Sequence, residues 1–235
     1  MRVFLVFITW ISFYSTSWAG EKLTIVTDIW PPYVTIEAGN IGGSSTKIVE
    51  KSLKGSGIEY EIIRLPWARA YEMAQNKKNI AIYTIVRTEN REHLFQWIAE
   101  LHPANSIFFY GFSHSKGIPD TLEELKKHSI SVVRQSMSLE SLQKEGFPSS
   151  GILMSVEEFD AIRLTMMGRA DYVATSEQTM TAFKALHPEI SEKVVKGPEL
   201  LSKPLFFALN KNSDTQLIRR VTAAFQKNSK KSLTN

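Results

Sequence analysis

The sequence contains no cysteine. This excludes disulfides, thiolate metal sites, a cysteine nucleophile and a lipid-modified cysteine near the N-terminus. Stability must come from buried apolar surface instead. After the first residues the chain also lacks long apolar runs. The one nearly unbroken stretch, residues 3–13, falls short of the roughly 20 residues a membrane-spanning helix needs. Strong charge of one sign is missing too: 28 Lys+Arg stand against 24 Asp+Glu, a net +4. The basic residues are scattered, apart from Lys227, Lys230 and Lys231, which read as a solvated tail, so no nucleic-acid surface is expected. The histidines at 93, 102, 114, 128 and 187 share no spacing on one helix face, and no metal site is expected. No serine sits in Gly-x-Ser-x-Gly, and Gly42-Gly43 has no phosphate-loop spacing around it. Low-complexity segments and a repeat period are likewise absent.

What is present begins with an export signal. Arg2 gives a positive start, an apolar stretch follows, and Ser17-Trp18-Ala19 places small residues where a signal peptidase reads. Residues 1–19 are therefore expected to be removed before Gly20. Removing 19 of 235 residues leaves 216, enough for one large or two small cores. The mature protein is expected to be soluble, with no membrane insertion. An exported chain without disulfides suits a bacterial periplasm better than a eukaryotic secretory route.

Periodicity predicts strands at 22–27, 60–64 and 80–86, with helices at 46–54 and 67–75 between them. Gly42-Gly43-Ser44-Ser45 reads as a turn followed by a serine N-cap, and Pro66 as the opening of the second helix. A strand at 107–112 precedes a second set. This comprises a short capped helix at 119–125, strands at 130–133, 152–154 and 170–175, and helices at 139–144, 156–167 and 177–186. The 156–167 stripe, with Met166 and Met167, is expected in the core. A strand at 205–209 and a helix at 215–226 close the chain. Strand–helix–strand order implies parallel sheets with crossover helices. The second α/β half is inserted into the first, so the boundaries are expected at 20–108 plus 203–235 for lobe 1 and 109–202 for lobe 2. Two strands cross between the lobes, near 107–113 and 200–207, and form a hinge.

The densest chemical signal lies at the end of the 80–86 strand, where Arg87-Thr88-Glu89-Asn90-Arg91 delivers two guanidinium groups. In open α/β sheets ligands gather at the C-terminal ends of strands. An arginine there presents a planar fork that matches a carboxylate. Trp30-Pro31-Pro32-Tyr33 follows the first strand in the same way. Trp30 and Trp67, at strand and helix ends, are candidate pocket walls.

These pieces, with Leu65-Pro66-Trp67-Ala68-Arg69-Ala70 and Gly168-Arg169-Ala170-Asp171, occur in an order that resembles the type II periplasmic solute-binding proteins. More specifically, they resemble the extracellular family 3 proteins that bind amino acids for ABC importers. The resemblance covers nearly all of the mature chain and implies a two-lobe fold, each lobe a mostly parallel mixed sheet flanked by helices. It implies that Arg91 grips the ligand carboxylate, that Trp30 and Trp67 line the pocket, and that Thr84 lies near the ligand ammonium. Arg134, Gln135, Ser136 and Met137 would contribute from the loop after 130–133, and Arg87 and Arg134 would add positive charge. It also implies a monomer, membrane importer subunits as partner, and neither catalysis nor a cofactor.

One departure stands out. The ammonium-binding aspartate of amino-acid binders falls on Ser176 here, with Glu177 next. A serine cannot neutralise a buried ammonium. Either Glu177 substitutes, or the ligand is not a free α-amino acid; with Arg87 and Arg134 near Arg91, a carboxylate-bearing solute with one or more acidic groups is expected rather than a cationic amino acid. Two alternatives keep the same fold: a periplasmic sensing module for a membrane receptor, or an enzyme resembling the cyclohexadienyl dehydratases, with Glu177 as proton shuttle.

Overall fold

The computed structural model describes residues 22–112 and 117–232. The expected signal at 1–19 and His114 lie outside the described residues. The chain runs β1 (Leu23–Thr27), β2 (Thr35–Glu37), β3 (Asn40–Gly42), α1 (Ser44–Leu53), β4 (Tyr60–Arg64), α2 (Trp67–Asn76), β5 (Ile80–Val86), α3 (Glu89–Glu92) and β6 (Phe95–Phe112). It continues through α4 (Leu122–Leu125), β7 (Ile130–Val133), α5 (Met137–Lys144), β8 (Ile152–Ser155), α6 (Glu158–Met166), β9 (Tyr172–Ser176), α7 (Glu177–Leu186), β10 (Val194–Asn210) and α8 (Thr215–Ser232).

Eight strands form one sheet in the order β4-β1-β5-β10-β6-β9-β7-β8, and β2 and β3 form a separate hairpin. At one end β1 pairs in parallel with β4 and β5. At the other, β7 pairs in parallel with β8 and β9. The two parallel halves are joined by β6 and β10, which run antiparallel to each other and to their neighbours. The expected strands at 107–112 and 205–209 are thus the end portions of two long strands. Their other portions hold Pro103, Pro198 and Pro204 among charged residues, which reads as loop. The prolines are tolerated because the ladder slips there, for instance between Lys203, opposite Asn105, and Leu205, opposite His102.

Period-two alternation places the core. Ala81 and Tyr83 of β5 join Leu23, Ile25, Val49, Leu53, Leu217, Val221 and Phe225 in one cluster beneath α1 and α8. Ile80 and Ile82 face the other way, onto Val26, Ala70 and Ala74 beneath α2. All seven residues of β5 are buried, which suits its unbroken apolar run in the middle of a parallel half. Ala161, Ile162, Val173, Met180 and Phe183 make the corresponding core of the second half. Met167, expected in that core, follows the last turn of α6 and is 61% exposed.

The start of α1 also differs from expectation. Its N-cap is Gly43, at φ 99°, with no side-chain cap. The backbone N–H groups of Ser44 and Ser45 donate to the carbonyls of Pro32 and Tyr33, at 3.1 and 2.9 Å. A Cβ at position 43 would stand 2.4 Å from the Tyr33 carbonyl oxygen. The glycine therefore lets the Trp-Pro-Pro-Tyr loop lie directly on the helix end. Trp30 owes its position to this approach and to the bonds it exchanges with Val34, at 2.9 and 3.0 Å.

Candidate functional site

The C-terminal ends of β1, β5, β7 and β8 converge between the two halves of the sheet. The segments that follow them enclose a cavity of about 50 Å3, room for a few water molecules. Asp28, Ile29 and Trp30 come from the segment after β1, and Trp67 from the first turn of α2. Thr84, Val86 and Arg91 come from β5 and α3. Ile107 enters from β6, while Val133, Ser136, Met137, Ser138 and Glu158 close the other side.

Arg91 is the most deeply buried charged side chain among the described residues, 1% exposed. Its guanidinium carbon lies 4.8 Å from the ring centre of Tyr71 and 5.6 Å from that of Trp67, within cation–π range. Those two rings stack on each other at 5.8 Å, so α2 supplies an aromatic wall for the cation. One Nη group of Arg91 pairs with the Glu140 carboxylate of α5 and donates to the Gln135 carbonyl at 3.2 Å. Its Nε has no acceptor among the described residues. The indole Nε1 of Trp30 is also buried without an acceptor. Unmet buried donors are costly, and here two of them belong to residues lining one cavity.

The opposite charge is also present. Asp28 is 7% exposed and accepts from the backbone N–H groups of Ile29 at 2.7 Å and Trp67 at 3.0 Å. It thereby caps α2 from outside the helix. Burial outweighs these bonds and pushes its pKa up to about 6. Glu158, half-buried at the start of α6, accepts from the Thr175 hydroxyl. Burial pushes its pKa to about 7, and the neighbouring Asp28 charge adds to the rise. Two carboxyl groups that resist ionisation thus face a cavity whose cation is Arg91.

Among the residues named from sequence, Arg91, Trp30, Trp67, Thr84, Ser136 and Met137 come together around the cavity. Thr84 sits at φ 59° where the β5–β10 register slips, which turns it out of the ladder. Ser136 also caps α5 by accepting from the Leu139 N–H at 3.2 Å. Arg87, Arg134, Ser176 and Glu177 do not line the cavity. Arg87 is exposed and forks onto Glu92, with Nε 2.6 Å from the carboxylate. Arg134 is exposed and does not line the cavity. Ser176 is fully buried, but its hydroxyl caps α7, accepting from the Thr179 N–H at 3.0 Å. Glu177 lies at the surface and accepts from Lys196 Nζ at 2.6 Å.

Sequence reading passed over Asp28, Glu158 and Glu140 as site residues. The signal was available for the first two. They follow β1 and β8 at the same sheet edge that drew attention to Arg91 after β5.

No family model matches the chain, and no curated protein matches it in sequence. Solved structures do. A histidine kinase sensor domain with similarity to periplasmic binding proteins superposes with a TM-score of 0.80 at 16% identity, covering 90% of this chain and 92% of that one. The fold is that of the type II periplasmic binding proteins. Two further structures agree. The arginine-, lysine-, histidine-binding protein ArtJ from Geobacillus stearothermophilus gives 0.77 at 18% identity, over 88% and 89% of the two chains. The GluR0 ligand-binding core from Nostoc punctiforme, in complex with L-glutamate, gives 0.74 at 17% identity, over 89% and 94%. At these identities the likeness establishes the shared architecture alone.

Proposed function

We propose that the protein is a periplasmic solute-binding module. It would close its two lobes, 20–108 plus 203–235 and 109–202, about a small solute bearing a carboxylate and a cationic group. Arg91 takes the carboxylate, with Trp30 and Trp67 as walls. Asp28 and Glu158 face the cationic end and replace the aspartate missing at Ser176. The observation that carries this reading is the presence of both complements in one cavity. Arg91 Nε and Trp30 Nε1, buried without acceptors among the described residues, stand with the carboxyl groups of buried Asp28 and half-buried Glu158. A solute that touches both halves stabilises the closed arrangement, and this is what a transport or signalling partner would read.

Delivery to an ABC-type importer is the role proposed for a monomer exported through residues 1–19. The superposition on a kinase sensor domain favours, as a second reading, ligand-dependent docking on a membrane receptor. A thermal-shift screen of the mature protein against amino acids, dicarboxylates, aromatic acids and amines tests the binding reading, because a ligand of the native state raises the melting temperature. A hit is expected among zwitterionic or carboxylate solutes, with affinity falling by about 2–4 kcal/mol in Arg91→Ala. A hit unaffected by that substitution would remove Arg91 from the site.

A further inference from the structure

Arg91 is already engaged, and what engages it comes from the other side of the cleft. Glu140 stands on α5, beyond β7, whereas Arg91 follows β5. The Glu140 carboxylate pairs with the Arg91 guanidinium through one oxygen and is approached by the Thr88 hydroxyl, at 3.5 Å, through the other. Beside it the Gln135 carbonyl accepts from Arg91 Nη at 3.2 Å and from Trp67 Nε1 at 2.8 Å. Gln135 holds a left-handed φ of 55°, a conformation costly for a side-chain-bearing residue. Two further contacts bridge the halves: Arg64 pairs with Glu157, and the Thr179 hydroxyl donates to the Pro31 carbonyl at 3.0 Å. The cleft is thus held shut by the protein's own groups, with a side-chain carboxylate on the very arginine proposed to hold a ligand carboxylate.

We infer that Glu140 is an internal competitor for Arg91, a tethered carboxylate that closes the cleft without ligand and must be displaced by any solute whose acid group is to be gripped there. This rests on the proposed role of Arg91 in the binding cleft. It makes Glu140 a specificity-determining residue. An acid enters only if its remaining contacts, with the indoles and with Asp28 and Glu158, outweigh a neighbour whose effective concentration is set by the fold. A bare carboxylate such as acetate lacks those contacts and fails against the wild-type protein. Arg64–Glu157 is different: both partners are more than one-third exposed, so it contributes little.

The test needs no identified ligand. Of the five tryptophans, Trp10 and Trp18 fall in residues 1–19, so the mature chain keeps Trp30, Trp67 and Trp97, two of them in the cleft. Tryptophan emission and acrylamide quenching therefore report opening, and small-angle scattering gives the accompanying change in radius. In ligand-free protein, Glu140→Ala is expected to shift the closed-to-open ratio towards open by about tenfold or more. Emission moves to the red and the radius of gyration increases, while Glu157→Ala stays at the wild-type values. Adding sodium acetate should reverse the change in Glu140→Ala by filling the vacated place on Arg91, while sodium chloride at equal ionic strength should not. Glu140→Gln, which keeps the side-chain volume, should open the cleft also and shows that the effect is one of charge.

If Glu140→Ala remains closed by all three readouts, there is no competitor and the inference fails. If it opens but acetate does not reclose it, Glu140 is a structural brace, and the inference fails as well. Neither result bears on whether the cleft binds a solute, which the thermal-shift screen decides separately.

Discussion

Glu158 makes the stability of the ligand-free protein depend on pH in an unusual direction. Its folded-state pKa is about 7 against an ordinary 4.5, because burial disfavours the charged form. The folded protein therefore holds this proton more tightly than the unfolded chain does. Stability from this group is fully present below about 4.5 and is lost as pH rises through about 7. At 1.36 kcal/mol per pKa unit, the loss by pH 8 amounts to roughly 3 kcal/mol. Most acidic groups in ion pairs act the other way, so the trend is distinctive. Glu158→Gln mimics the protonated acid and keeps an acceptor for the Thr175 hydroxyl. Urea unfolding of both proteins between pH 4 and 8.5 isolates the contribution as a difference between two curves. The variant should be nearly equal to wild type at pH 4.5 and more stable at pH 8 by about 2–3 kcal/mol. Part of the slope survives in the variant, because Asp28 titrates near 6 for the same reason. A difference that does not change with pH would refute the burial of this carboxyl. A bound cation that pairs with ionised Glu158 reverses the balance, so affinity for such a solute should rise as pH passes 7.

Three further outcomes follow from the same geometry. Gly43→Ala places a Cβ 2.4 Å from the Tyr33 carbonyl oxygen at a positive φ, and should cost at least roughly 1–3 kcal/mol by thermal unfolding. It should also weaken any ligand that touches Trp30. Trp67→Phe keeps the stacked ring but deletes the 2.8 Å bond to the Gln135 carbonyl, and should destabilise the closed cleft by about 1 kcal/mol, read by quenching of the remaining tryptophans. Arg64→Gln, by contrast, removes an exposed pair and should change urea stability by less than about 1 kcal/mol.

Much of the fold was legible because its elements are locally consistent. Tyr60–Arg64, Ile80–Val86, Ile130–Val133 and Glu177–Leu186 have in the structure the bounds their patterns predict. Each is a run of one period closed by turn residues or a cap. The long stretches of β6 and β10 were not legible. Strand pairing between residues about 100 positions apart tolerates Pro103 and Pro204 at a slipped register, and no local pattern announces it. The β2–β3 hairpin escaped for another reason, being two three-residue strands with no apolar alternation.

The site shows the same division. Arg91, Trp30 and Trp67 carry their signal in residue type and position. Glu140 lies in the middle of an ordinary amphipathic helix, and only folding brings it to a guanidinium 49 positions away. For Ser176 and Glu177, a position counted along the chain says nothing about where a side chain spends its hydrogen bonds. One caps α7 and the other pairs with Lys196.

The most direct test of the central claim is a crystal structure of the mature protein with whichever solute raises its melting temperature. Density is expected between Trp30 and Trp67, with an acid group on Arg91 in place of the Glu140 carboxylate and a cationic group facing Asp28 and Glu158. Density for the solute anywhere else, with the Arg91–Glu140 pair intact, would contradict it.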